Sequence, residues 1–130
     1  MNYGISITLS DGFEPTMTRV REALADQGFG VLTEIDMAAT LQEKLGVQIA
    51  PHVILGACNP PLAYRAVQAE ESIGLLLPCN VVVRTGEDGT VVEAMDPQVM
   101  VGVTGNDELT AVADEASTRL RAALESLQAA

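Results

Sequence analysis

Two short segments mirror each other, Ala57-Cys58-Asn59-Pro60-Pro61 and Leu77-Pro78-Cys79-Asn80, and together they hold both cysteines of the chain. A thiol, an amide and stiff backbone at such spacing are materials for a metal site, a redox pair or a shaped pocket. The metal site fits worst. Structural zinc takes four Cys or His ligands, whereas this chain has no Cys-x-x-Cys, no His-x-x-x-His and a single histidine, His52. A regular strand would put His52 and Cys58 on one face but about 20 Å apart, at roughly 3.3 Å per residue. A bulge near Gly56, or a second copy bringing its own cysteines, would be needed to assemble a ligand set.

A redox pair needs adjacent thiols, one of them acidic. Cys58 ends one strand-like run and Cys79 begins another, with a short helix between them. Antiparallel pairing of those strands brings the thiols to one end of a sheet; parallel pairing separates them. No nearby Lys or His stands ready to lower a thiol pKa, and free cysteine is among the most buried residue types. Inert, buried thiols are therefore the expectation. Asn59 and Asn80 read in two ways: as amides bonded to turn or strand-end backbone, or as two polar groups orienting a ligand in one apolar pocket.

The remaining candidates have simpler readings. Glu34 and Asp36 alternate onto one strand face as an acid–base pair would, but Glu34 also suits a solvated position and Asp36 a helix cap. His52 beside Pro51 fits an edge strand, and Tyr64 and Arg65 fit a helix surface near the pocket. No nucleophile elbow, phosphate loop or dinucleotide fingerprint is present. The residues lean away from an enzyme.

The elements that must position these groups follow from periodicity. Tyr3, Ile5, Ile7 and Leu9 alternate as a half-buried strand. Pro15 opens a helix that carries Met17, Val20 and Leu24 and stops at Gly28. Val31–Ile35 is a second strand, and Asp36 caps a short helix with Met37, Leu41 and Leu45 on one stripe. Val47–Ala57 reads as a third strand with an irregular start at Pro51. A short helix runs from Pro61 to about Glu70. Ile73–Leu77 and Asn80–Thr85 read as strand interrupted by Pro78. The turn Gly86-Glu87-Asp88-Gly89 pairs Val81–Thr85 with Val91–Met95 as a hairpin. Between Pro97 and Gly105 the alternating Val99, Val101 and Val103 suggest a further short strand. Asn106 caps a last helix whose stripe runs from Leu109 through Leu120 to Leu127. The sum is one α+β domain over residues 1–130, a mostly antiparallel sheet with helices packed on one face.

Composition narrows the partners. With 18 acidic residues against 7 Lys plus Arg, the net charge is -11. Such a surface repels nucleic acid and anionic membranes. Four aromatic rings, two Tyr and two Phe, offer little for base stacking. The first residues lack the pattern of a signal peptide, and no apolar run nears the roughly 20 residues that span a bilayer. A cytoplasmic location with reduced thiols is expected.

The runs Ile54–Tyr64 and Ile73–Val83, with Gly28–Asp36 upstream, resemble the domain of unknown function 302 family over about residues 4 to 97. The resemblance implies a TATA-binding-protein-like fold with a curved antiparallel sheet, a homodimer, and importance for Cys58, Asn59, Pro60, Pro78, Cys79 and Asn80. It carries no activity and no cofactor. The leading expectation is a homodimeric, non-catalytic module binding a small apolar or amphipathic ligand near Cys58 and Cys79. A thiol-redox or metal-handling protein is the first alternative, and a purely structural or interaction module the second.

Overall fold

A computed structural model describes residues 1–129. Five strands form one sheet: β1 (Gly4–Leu9), β2 (Gly30–Asp36), β3 (His52–Cys58), β4 (Cys79–Gly86) and β5 (Gly89–Met95). Their order is β1-β5-β4-β3-β2, and every neighbouring pair is antiparallel. Five helices accompany them: α1 (Phe13–Asp26), α2 (Met37–Leu45), α3 (Pro60–Ala69), α4 (Gln98–Thr104) and α5 (Thr110–Ala129). The α+β class expected from the sequence is therefore the observed one, and the arrangement is compatible with a TATA-binding-protein-like fold.

Strand alternation decides which residues meet the helices. Val53, Leu55 and Ala57 of β3, Cys79, Val81 and Val83 of β4, and Val92 and Ala94 of β5 point to one side. There they join Met17, Val20 and Leu24 of α1 and Leu120, Leu124 and Leu127 of α5 in one buried core. Full burial of such a side chain stabilises by about 2 kcal/mol. A second cluster gathers Leu62 and Ala66 of α3, Ile73, Met100 of α4, and Val112, Ala113 and Ala116 from the first half of α5. The long helix thus serves both cores.

The hairpin turn forms where Gly86-Glu87-Asp88-Gly89 places it, with Gly86 opposite Gly89. Gly89 takes φ of 142°, and a Cβ there would collide with the Leu9 carbonyl, so only glycine fits. In β2 the register shifts between Val31 and Thr33, a bulge at Leu32. It sets Ile35 opposite Ile54, on the side away from the core.

Three segments differ from expectation. β3 begins at His52 rather than Val47. Pro51 lacks an N–H for the ladder, though its carbonyl accepts from the Thr85 amide at 3.0 Å. Glu71–Leu76 is a 3-10 turn rather than strand, held by the Ile73 amide donating to the Glu70 carbonyl and by burial of Ile73 in the second core. Residues 98–104 form α4 instead of a strand. Asp96 Oδ1 accepts from the Gln98 amide at 3.0 Å, and Met100, not the alternating valines, is the buried residue. Asn106 caps a short 3-10 turn, Asp107–Leu109, directly before α5.

Candidate functional site

The mirrored segments meet where β3 ends and β4 begins. The two strands run antiparallel with Ala57 opposite Cys79, which brings both thiols to one end of the sheet. A cavity of about 30 Å³ lies between this sheet end and helices α3, α4 and α5. Cys58, Asn59, Pro78 and Cys79 all line it, with Leu62, Ala66, Met100 and Ala116. Those helix residues were not singled out from the sequence. They are ordinary apolar stripe positions, and only the packing of three helices around one strand junction marks them.

Each signature residue has a local task. Asn59 is buried, and its Oδ1 accepts from the Leu62 amide at 3.3 Å, capping α3. Pro60 and Pro61 follow in the first turn of that helix, where a missing N–H loses no bond. Gly28, at φ 84°, gives the Asn59 amide room: a Cβ at Gly28 would lie 3.0 Å from Asn59 Nδ2. The Leu77–Pro78 peptide is cis. Pro78 closes over Gly56, where an added Cβ would come within 2.8 Å of Pro78 Cγ and collide with Thr33 Oγ1.

The two asparagines part company. Asn59 faces the cavity, whereas Asn80 is exposed and lies on the other side of the sheet. There it borders a groove of about 290 Å³ with Met1, Tyr3, Val82, Glu93 and Met95. No single pocket holds both amides. Pro60 stands at the helix start outside the cavity lining.

Both cysteines are free; Cys79 is buried and Cys58 partly exposed. Burial, reinforced by Cys58 nearby, pushes the Cys79 thiol up to about 11. A thiol so shifted is a poor nucleophile near neutral pH. The other candidates are committed elsewhere. Glu34 pairs with Arg21 of α1, and Asp36 Oδ1 accepts from the Ala39 amide at 2.9 Å to cap α2. Tyr64 is exposed, and Arg65 pairs with Glu115 at 3.2 Å. Hydrogen bonds from Arg65 and then Arg119 hold the Glu115 carboxyl below its usual range. His52 sits opposite Arg84, at the far end of β3 from Cys58. Among the described residues no group of three or more His, Cys, Asp or Glu is placed to hold a metal ion, and no helix is long and apolar enough to cross a membrane.

An all-antiparallel five-stranded sheet with this junction at its end defines a small α+β domain, and the comparisons give its family. The chain belongs to the family described as domain of unknown function DUF302, whose model matches residues 5–127. It is similar to an uncharacterized conserved DUF302 protein from Bacillus stearothermophilus, known from a crystal structure. The two share 32% identity at a TM-score of 0.89, over 96% of this chain and 98% of that one. No curated protein matches.

Proposed function

We propose that the chain is a non-catalytic, homodimeric binding module of the cytoplasm that seats a small apolar or amphipathic ligand beside Cys58 and Cys79. The cavity carries this reading: a partly open space among Cys58, Leu62, Ala66, Pro78, Cys79 and Met100, with no ionisable base or acid paired to a thiol. Sites for drug-sized ligands measure roughly 300–1,000 Å³. A volume of about 30 Å³ admits one or two water-sized groups. The space therefore suits the apolar tip of a ligand, with the rest outside. Asn59 would border that tip, and Pro60 and Pro78 stiffen the two chain segments beside it. Asn80 lies outside this reading. The acidic surface disfavours nucleic acid and anionic membranes as partners.

The raised Cys79 thiol opposes the redox alternative. One observation favours the structural-module reading: the Asn59 carbonyl oxygen already caps α3, so the signature builds a strand–helix junction whether or not a ligand visits it. Amide NMR titrations with xenon and 1-hexanol separate the two. The binding reading predicts saturable shifts at Ala57, Leu62 and Ala66. Uniform, non-saturating shifts would leave the junction purely structural.

A further inference from the structure

We infer that the ligand seated at the cysteine junction is a short aliphatic carboxylate, its chain tip in the cavity and its head held by Asn59 and Arg119. The inference rests on the binding reading above and names the chemistry of that ligand's polar end. Asn59 lines the cavity and is only 8% exposed. Its Oδ1 is committed, because it accepts from the Leu62 amide. That bond fixes the orientation of the side-chain amide and leaves Nδ2, a double donor, with no hydrogen-bonded acceptor among the described residues. A donor on a residue this buried calls for an oxygen to meet it, and the cavity is where one can arrive.

Arg119 reaches the same spot from α5. A Cβ on Gly28 would lie 3.0 Å from Asn59 Nδ2 and 4.0 Å from Arg119 Nη1. Gly28 has no Cβ, so no side chain of its own separates the two donors. Phe29, the next residue, and Ala116, one turn before Arg119, both line the cavity, which sets the donor pair at its rim. Arg119 Nη1 donates to the Gln27 carbonyl at 3.3 Å and Nε to Glu115 at 3.2 Å. Those bonds hold the guanidinium in place and leave its Nη2 for a ligand. Glu115 also pairs with Arg65 at 3.2 Å, so two guanidiniums share one carboxylate and the cluster keeps a surplus positive charge. Beside a free amide donor, that surplus selects an anion over a cation, although the chain as a whole carries -11. Distant acids oppose the anion weakly, since salt screens them over about 8 Å. A carboxylate has two oxygens, one for each donor, and its bond to guanidinium is of the stronger, charge-assisted kind. A space of about 30 Å³ takes only the end of its chain.

Amide NMR titrations of the full chain with hexanoate, 1-hexanol and hexylammonium, near neutral pH and at constant ionic strength, test this. The three probes share one chain and differ at the head. The expected result is saturable shifts at Leu62 and Ala66, with hexanoate bound about 10-fold tighter than 1-hexanol and hexylammonium weakest. Arg119→Gln should bring hexanoate to within about twofold of 1-hexanol and leave 1-hexanol unchanged. Asn59→Asp keeps an oxygen to cap α3 but trades the donor for an acceptor, and should weaken hexanoate about 10-fold while sparing 1-hexanol. Should Asn59→Asp fail to fold by circular dichroism, Arg119→Gln, at an exposed position, decides alone. Equal saturable binding of hexanoate and 1-hexanol overturns the carboxylate and leaves the cavity reading standing. A hexanoate preference that survives Arg119→Gln does the same to the assigned head site. Non-saturating shifts with all three probes overturn both.

Discussion

Ile54 and Leu55 are adjacent in β3 and almost equal in hydrophobicity, yet Leu55 is fully buried and Ile54 only partly so. The same contrast runs through Val81, Val82 and Val83, and through Val91 and Val92. On the Leu55 side, α1 and α5 bring Leu24, Leu120 and Leu124 into contact with the strands. On the Ile54 side the described residues offer no comparable layer, and the sheet stays partly exposed. Apolar character alone does not make a core; a second layer must cover it.

Substitutions sharpen the contrast in order of size. Leu55→Ala should destabilise by about 3 kcal/mol, since it opens a cavity under two helices, while the neighbouring Ile54→Ala should lose about 1 kcal/mol in the monomer. Urea denaturation at low protein concentration measures both, and equal losses would erase the distinction between faces. Cys79 gives the next largest effect. Its thiol moves from 9.0 to about 11 because burial disfavours the thiolate. Above pH 9 the unfolded chain releases a proton that the native protein keeps, so stability is intact below 9 and falls as pH rises toward 11. The loss should total about 2–3 kcal/mol. Comparing wild type with Cys79→Ala at both ends of that window isolates it; parallel pH curves would contradict the assignment.

The mirrored asparagines extend the comparison at smaller scale. Asn59→Ala removes the cap of α3 and leaves a buried Leu62 amide unpaired, and should destabilise by about 1 kcal/mol. Asn80→Ala, on the exposed side, should stay within about 0.5 kcal/mol. Thermal melts of the pair would show whether sequence symmetry hides structural asymmetry, as the geometry requires.

The hairpin, the first strand and the α5 stripe were legible because turn chemistry and periodicity agreed there. Residues 98–104 were not. Their alternating valines mimic a strand, and the deciding interaction, the Asp96 carboxylate accepting from the Gln98 amide, is one side-chain-to-backbone bond with no pattern of its own. Ile73–Leu77 misled similarly, because a short apolar run is compatible with either strand or helix. The junction of the two cysteine segments was legible as composition. That Asn59 and Asn80 face opposite ways was not, since it depends on Asn59 leaving β3 to cap α3 while Asn80 stays in register within β4. Helix α2 was predicted from its apolar stripe and Asp36 cap, but a stripe does not say whether anything covers it.

The cavity at the cysteine junction is open to direct measurement. An amide NMR titration with 1-hexanol should give saturable shifts at Leu62 and Ala66, beside the cavity. Uniform, non-saturating shifts would contradict the proposal that the cavity beside Cys58 and Cys79 seats a ligand.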